Sequence, residues 1–287
     1  MKRTVSSPIT ERRSETTNVA KANVEELPPP TAALWSATQT RVAELVWGKG
    51  YLAPGGAQRV VDLVKPLGLT PAVTLLELGA GPGGSTHAIA KKFGTYVTAF
   101  VTDPDHAKIG TELAVAHDVD KKVSIRCCAP PSLKLKSNYF HGAFVYDYIR
   151  LVQDKDRLIQ EIARSVKPRG QVVIVDLFSA ADPQGPGANA WTKNNFVPVS
   201  LCTSKRLSDD LKRCGLDPYI CEDESEVYSE LAHKAWGEFL RSPEAESLPA
   251  ELRRPMLESA ECWTLLLAAI RSGDVRYTKI VAVKRGG

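Results

Sequence analysis

The sequence predicts an α/β protein built on a doubly wound, seven-stranded, mostly parallel sheet. From residue 73 onward, short apolar segments alternate with helical segments, which is the pattern of a parallel sheet. The first apolar segment runs directly into a glycine-rich turn and then a helix. The chain has 287 residues, 43% hydrophobic and 24% charged, values that suit one large domain with additions and exclude a disordered or fibrous chain.

The segment that precedes the sheet divides into a tail and a helical region. Residues 1–30 are rich in Ser, Thr, Arg and Pro with little apolar periodicity, which predicts a disordered N-terminal tail. Helical spacing then predicts one helix at 32–47 and a second at 57–67. The stretch between them, 48–56, contains glycines that break the helix. We interpret residues 31–68 as an N-terminal helical lid, in which Tyr51 covers a pocket.

The rest of the chain, 69–287, is the predicted core domain. Its strands are predicted, in chain order, at 73–78, 96–102, 123–127, 142–146, 171–177, 216–221 and 277–283. Helices are predicted between them at 84–93, 105–117, 154–166 and 203–214. The stretch 222–273 is too long for a turn and has helical spacing at 225–240 and 255–271, so we expect a helical cap between the last two strands.

Charge, hydropathy and cysteine spacing exclude several classes of protein. The net charge of +4 is small and scattered, so it does not indicate a nucleic-acid groove. No apolar run reaches the roughly 18 residues that a membrane span needs. The six cysteines form no CxxC pair and no zinc-ligand spacing, which favours reduced thiols in a cytoplasmic protein without a metal site.

The segment 73–86, VTLLELGAGPGGST, is the most informative stretch of the chain. A strand that enters a glycine-rich turn brings the backbone close to a ligand, and the helix that begins near Gly84 is expected to offer unpaired amides to an anionic group. Gly79, Gly81 and Gly84 satisfy GxGxxG, so a dinucleotide stays open as the ligand. Glu77 extends the string to ExGxGxG and can pair with an ammonium group, for which a pyrophosphate has no use.

Three blocks, LLELGAGPGGST at 75–86, RSVKPRGQVVIVD at 164–176 and RYTKIVAVKR at 276–285, make the chain similar to class I S-adenosylmethionine-dependent methyltransferases over roughly residues 40–285. The resemblance implies the Rossmann-like methyltransferase fold and S-adenosyl-L-methionine as cofactor. GKGYLAPGG at 48–56 resembles the small-molecule branch, which includes phosphoethanolamine, sterol and quinone-precursor methyltransferases. The implied reaction is in-line methyl transfer to a small-molecule acceptor. No His–carboxylate dyad is evident, which favours an amine acceptor that needs no base.

The resemblance also implies a set of cofactor-binding residues, which are Glu77, Gly79, Ala80, Gly81, Gly83, Asp103, Cys128 and Asp147. The family's ribose-binding acid falls on Val101, and Asp103 lies two residues later with the same side-chain parity, so we expect Asp103 to replace it. The catalytic residue stays open among three candidates, Asp147, Tyr148 and Tyr51. The loop 182–191 and the cap are expected to roof the acceptor pocket.

Two features keep a second interpretation open. Val101 and Cys128 stand where the family usually carries acids around the nucleoside, so a non-catalytic binding or scaffold protein with a weakened cofactor site is the alternative.

The segment Asp147–Tyr–Ile–Arg150 lacks the Pro-Pro motif typical of nucleic-acid methyltransferases of this fold, which argues against nucleic acid as a partner. The identity of the acceptor and the oligomeric state stay open.

Overall fold

A seven-stranded sheet forms the centre of the fold. The computed structural model describes residues 34–128 and 133–286, so the predicted tail at 1–30 lies outside the described residues. The strands are β1 (Thr74–Leu78), β2 (Tyr96–Val101), β3 (Val123–Cys127), β4 (Phe140–Tyr146), β5 (Val166–Ser179), β6 (Leu216–Asp223) and β7 (Val275–Lys284). They follow the order β3-β2-β1-β4-β5-β7-β6, with β7 antiparallel to both of its neighbours and the other pairs parallel. The predicted doubly wound, mostly parallel sheet is confirmed.

Helices connect and cover the strands. They are α1 (Ala37–Trp47), α2 (Gly56–Leu63), α3 (Gly84–Phe93), α4 (Pro104–Ala116), α5 (Lys155–Ser165), α6 (Pro186–Lys193), α7 (Ser204–Arg213), α8 (Ser225–Leu240), α9 (Pro243–Glu246) and α10 (Ala250–Ser272). Two 3₁₀ turns, Lys65–Leu67 and Ile149–Leu151, follow α2 and β4. None of the helices in the described part of the chain is long and apolar enough to cross a membrane.

The strands bury side chains on both faces of the sheet, as parallel strands between two helical layers do. On one face, Leu76 of β1 packs in a cluster with Leu158 of α5 and Leu211 of α7. On the other face, Leu75 packs in a cluster with Ile89 of α3 and with residues of α6, α8 and α10. Because successive strand residues alternate between faces, Glu77 shares the face of Leu75 and points toward α3.

The helices before β1 pack against the helices between β6 and β7. Val42 and Trp47 of α1 share a buried cluster with Phe239 of α8 and Met256 of α10. A second contact between the two regions is an ion pair, in which the Arg59 guanidinium of α2 lies 2.8 Å from Oε2 of Glu224, the residue before α8. The two helical regions therefore meet above one edge of the sheet.

The structure departs from the sequence expectations at several elements. Helix α1 begins at Ala37 rather than at 32, because Ser36 caps it, and the helix predicted at 57–67 ends at Leu63 and is followed by the 3₁₀ turn Lys65–Leu67.

β5 begins at Val166 rather than at 171. The segment Pro168–Gly170, which predicts a turn, forms an irregularity within the strand, where the pairing with β4 shifts register. Part of the loop predicted at 182–191 is the helix α6. Helix α10 begins before 255 and contains Pro255 near its N-terminal end.

Candidate active site

The candidate site lies at the point where the sheet changes its winding direction. β1 has β2 on one side and β4 on the other, and crevices at the carboxyl ends of such strands are the usual ligand sites of open α/β sheets. Gly79 directly follows β1 and Asp147 directly follows β4, and both line a cavity of about 1050 Å³, a volume that includes its open mouth.

The glycine-rich turn forms one wall of the cavity through Gly79, Ala80 and Gly81. Gly79 has a φ of +90°, and a Cβ there would lie 2.1 Å from the carbonyl oxygen of Tyr146 on the neighbouring strand. The positive φ and the close approach both require glycine. Gly83, with a φ of +97°, caps the N-terminus of α3 and is not one of the lining residues.

The N-terminal lid is docked on this turn. The Gly84 N–H donates to the Gly50 carbonyl oxygen at 3.0 Å, and the Tyr51 hydroxyl donates to the Gly84 carbonyl oxygen at 3.0 Å. The first amide of this helix, at Gly84, is therefore already bound by the lid, and the expectation that the helix start offers amides to an anionic group stays a prediction for the residues that follow. Tyr51 and Leu52 also line the cavity, and the covering role predicted for this segment stays a prediction.

Glu77 is fully buried and does not itself line the cavity, whereas Ser85, which lies in front of it, does. The Ser85 hydroxyl donates to Glu77 Oε1, whereas Glu77 Oε2 has no hydrogen-bond partner among the described residues. Burial raises the pKa of Glu77 to about 7, although the neighbouring hydroxyls of Ser85 and Thr86 work in the opposite direction. A buried carboxylate oxygen without a partner costs folding free energy, so a cationic ligand would explain its presence.

Asp103 is 1% exposed and already has a partner for each carboxylate oxygen. Its Oδ1 accepts the Asp105 N–H at 2.9 Å, which caps α4, and its Oδ2 accepts the Trp35 N–H at 3.2 Å. Val101, Thr102 and Trp35 line the cavity at this corner, whereas Asp103 does not. A ribose role for Asp103 stays a prediction, and it requires a ligand to reach a carboxylate that does not line the cavity.

Cys128 lies in the hydrophobic cluster on the α5 and α7 face of the sheet and is 3% exposed. It is not one of the residues that line the cavity, and burial raises the pKa of its thiol. Its cofactor contact, which the sequence resemblance implies, stays a prediction to which the geometry adds no support.

Asp147 and Arg150 form a charged group at the end of β4 together with a residue that the sequence reasoning missed, Asp176 of β5. Arg150 Nη1 lies 2.7 Å from Asp147 Oδ1 and 2.6 Å from Asp176 Oδ1, and Asp176 is fully buried. Asp147 has a φ of +53°, an uncommon value for a residue other than glycine that is frequent at functional sites. Burial raises the pKa of Asp147 to about 6, against the lowering effects of Arg150 and of the neighbouring Tyr277 hydroxyl. Its Oδ2 has no hydrogen-bond partner within the described residues.

Aromatic side chains form much of the remaining wall. They come from the lid, from β4 and the turn after it, from the α6 region and from the cap, and are Trp35, Tyr51, Tyr146, Tyr148, Trp191, Phe196, Tyr228 and Trp263. Tyr228 is held in place by stacking on Tyr277, with ring centroids 3.9 Å apart. Sequence reasoning selected Tyr51 and Tyr148 from this set. The loop 182–191 and the cap, which the sequence predicts as a roof, supply Trp191, Tyr228 and Trp263 to this wall, although the sequence did not single out these side chains.

Comparisons with known proteins agree with this architecture. Residues 76–174 match the family model described as "Methyltransferase domain". Phosphoethanolamine N-methyltransferase 1 of Zea mays is 23% identical over 241 residues, which are 84% of this chain and 47% of that protein. Phosphoethanolamine N-methyltransferase 2 of Haemonchus contortus, solved in complex with S-adenosyl-L-methionine, superposes with a TM-score of 0.79 at 20% identity, over 87% of this chain and 57% of that one.

The same comparisons limit what can be transferred. The chain spans about half the length of the curated relatives that it matches. The [4+2]-cyclase SpnF superposes with a TM-score of 0.71 at 18% identity over 92% of this chain and 100% of that one, although its name describes a different reaction. The likeness to solved structures therefore shows the fold, and the reaction has to be argued from the site.

Proposed function

We propose that this chain, which contains a class I S-adenosylmethionine-dependent methyltransferase domain, transfers a methyl group to the nitrogen of a small-molecule amine. The domain match over residues 76–174 supplies the premise. The observation that carries the proposal is the free, fully buried Oε2 of Glu77 behind the glycine turn, because a carboxylate in this position suits the ammonium end of a bound amino acid.

The residues present fit S-adenosyl-L-methionine at two places. Glu77 Oε2 would accept a hydrogen bond from the ammonium group, and the backbone of Gly79, Ala80 and Gly81 would form the wall against which the ligand lies. A side chain at position 79 would collide with Tyr146, so this surface exists only because residue 79 is glycine. For the ribose, Asp103 remains the proposed ligand.

The bound cofactor would supply a methyl group on a positively charged sulfur, which is already activated for displacement. The protein then has to align the acceptor and exclude water. Asp147 Oδ2, a free acceptor at the cavity wall, would take a hydrogen bond from the amine N–H and orient the nitrogen lone pair. The docked lid and the aromatic wall would keep water away from the reacting atoms.

Calorimetric titration with S-adenosylmethionine, followed by a methyl-transfer assay with labelled cofactor and a panel of amines, tests the proposal. We expect saturable binding and label transfer to at least one amine. Binding without transfer to any amine or other small acceptor would support the rival scaffold function, which the engaged carboxylate of Asp103 favours. No heat at millimolar cofactor would refute the cofactor assignment.

Asp103→Asn is expected to weaken cofactor binding about tenfold, since one charge-assisted hydrogen bond to a ribose hydroxyl is lost. Asparagine is as good a helix N-cap as aspartate, but its amide nitrogen cannot accept the Trp35 N–H, so the melting temperature should fall by about 3 °C through the loss of that one hydrogen bond. Calorimetry and thermal unfolding measure the two effects separately. An unchanged affinity together with a lowered melting temperature would mean that Asp103 only caps α4 and binds Trp35.

A further inference from the structure

Arg150 is a paired cation rather than an anion-binding group. It is the single lysine or arginine that lines the cavity within residues 34–128 and 133–286. The two carboxylates of Asp147 and Asp176 both contact its Nη1, at 2.7 and 2.6 Å, and Asp176 Oδ2 also accepts the Arg150 backbone N–H at 3.1 Å. The positive charge of Arg150 is therefore already balanced from two sides.

The charge that remains at this end of the cavity is negative. Two ionised carboxylates and one guanidinium sum to one negative charge, and the free Oδ2 of Asp147 adds a hydrogen-bond acceptor at the wall. His106, which also lines the cavity, has its pKa lowered by burial and shares a hydrogen bond with Thr40, so it contributes no cation at neutral pH. A phosphate brings up to two further negative charges and only acceptor oxygens, so burying one here would leave it unpaired.

The remaining surface around this group is aromatic and apolar. Tyr146 and Tyr228 line the cavity beside the triad, together with Trp191 of α6 and Trp263 and Leu266 of α10. Aromatic faces attract cations and also bury apolar bodies. A ligand that complements this end thus carries a nitrogen with a proton to donate, and an apolar or aromatic body.

We propose that the acceptor is an unphosphorylated amine on an aromatic or other apolar body, with its nitrogen at Asp147 Oδ2. This inference rests on the proposed function and narrows its acceptor class. It also separates this chain from the relatives whose names specify phosphoethanolamine, because the cation that lines this cavity is already engaged by two aspartates.

Competitive calorimetry tests the proposal. It compares phenethylamine, tyramine and tryptamine with phosphoethanolamine, each titrated with and without saturating S-adenosylhomocysteine. We expect at least one of the three amines to bind at least tenfold more tightly than phosphoethanolamine. Tighter binding of phosphoethanolamine than of every amine, or no binding of any amine to protein that binds S-adenosylmethionine, would overturn it.

Asp147→Asn supplies a second readout that misfolding cannot imitate. Removing one negative charge beside Arg150 should weaken binding of the three amines about tenfold and weaken phosphoethanolamine binding less, because its phosphate meets one negative charge fewer, so the ratio of the two affinities falls. Asp209→Asn, at an exposed ion pair with Lys205 on α7, is the matched control and should leave both unchanged. Equal losses for both ligands would contradict the assigned role of Asp147. Failure of the proposed function itself is recognised separately, as absent S-adenosylmethionine binding, and the titrations without cofactor still decide the acceptor class.

Discussion

Replacing Glu77 with glutamine is expected to weaken S-adenosylmethionine binding roughly 100-fold and, at the same time, to make the empty protein more stable above about pH 7. The loss of affinity follows because a neutral amide cannot pair with the ligand's ammonium group. The gain in stability follows from burial, which raises the pKa of Glu77 from 4.5 to about 7. The amide oxygen can still accept the Ser85 hydroxyl, so the local packing is retained.

The direction of the pH effect is fixed by which state holds the proton more tightly. The folded protein keeps the Glu77 proton up to about pH 7, whereas the unfolded chain releases it near pH 4.5, so the carboxyl lowers the stability progressively across that window. The difference between the two pKa values corresponds to about 3 kcal/mol when both states are ionised. Urea unfolding at about pH 4.5 and pH 8 should therefore show the variant and the wild type close together at the lower pH and separated at the higher one.

Glu230→Gln, at an exposed position of α8, is the matched control and should change neither affinity nor stability. A Glu77→Gln protein that binds the cofactor as tightly as the wild type would refute the assignment of this carboxylate. A variant that is less stable than the wild type at both pH values would instead show that the buried carboxylate is satisfied in the folded state.

The parts of the structure that depend on local sequence could be predicted. The strand, turn and helix around Glu77 follow from an apolar segment, closely spaced glycines and the next helical segment, and α3 was predicted with its observed bounds, Gly84–Phe93. The same holds for α8, Ser225–Leu240. β5 was predicted too short, because a segment such as Pro168–Gly170 usually ends the pairing between two strands. Here Val166, before that segment, still pairs with Phe140 of β4, and the register shifts after it.

The parts that depend on strand order could not be predicted. Asp147 follows Tyr146 on β4 and Asp176 follows Val175 on β5, and these two strand residues are register partners, so the carboxylates meet at one edge of the sheet. The sequence places them 29 positions apart and gives no order for the strands. Only the pairing of β4 with β5 turns Arg150 from a surface arginine into the centre of a buried triad.

The role of Asp103 could not be predicted for a different reason, because an aspartate at this position can either cap a helix or bind a ribose. An aspartate followed by Pro104 is a typical start of a helix, and the Asp103 side chain does cap α4. The family resemblance led us to expect a ribose ligand at the same position. A side chain that satisfies a capping signal can still bind a ligand, so local sequence could not separate the two roles, and the Asp103→Asn measurement is needed.

Gly79→Ala is expected to destabilise the protein by more than about 4 kcal/mol, which is a large part of the roughly 5–15 kcal/mol by which folded proteins are stable. The added Cβ would lie 2.1 Å from the Tyr146 carbonyl oxygen and 2.9 Å from the Tyr148 Cβ. Both of these neighbours are on or directly after β4, which is paired with β1 at the centre of the sheet, so neither can move without separating the two strands. Urea unfolding, or soluble yield where the protein does not fold, measures the effect.

Gly215→Ala distinguishes this collision from the cost of a left-handed backbone alone. Gly215 has a φ of +78°, similar to that of Gly79, but a Cβ there meets no atom within 4 Å, so its substitution should cost only about 1–2 kcal/mol. The excess loss in Gly79→Ala over Gly215→Ala then measures the close contact between the glycine turn and the end of β4. Equal losses in the two variants would mean that the strands are not held this closely, and the cavity wall formed by Gly79 would lose its physical basis.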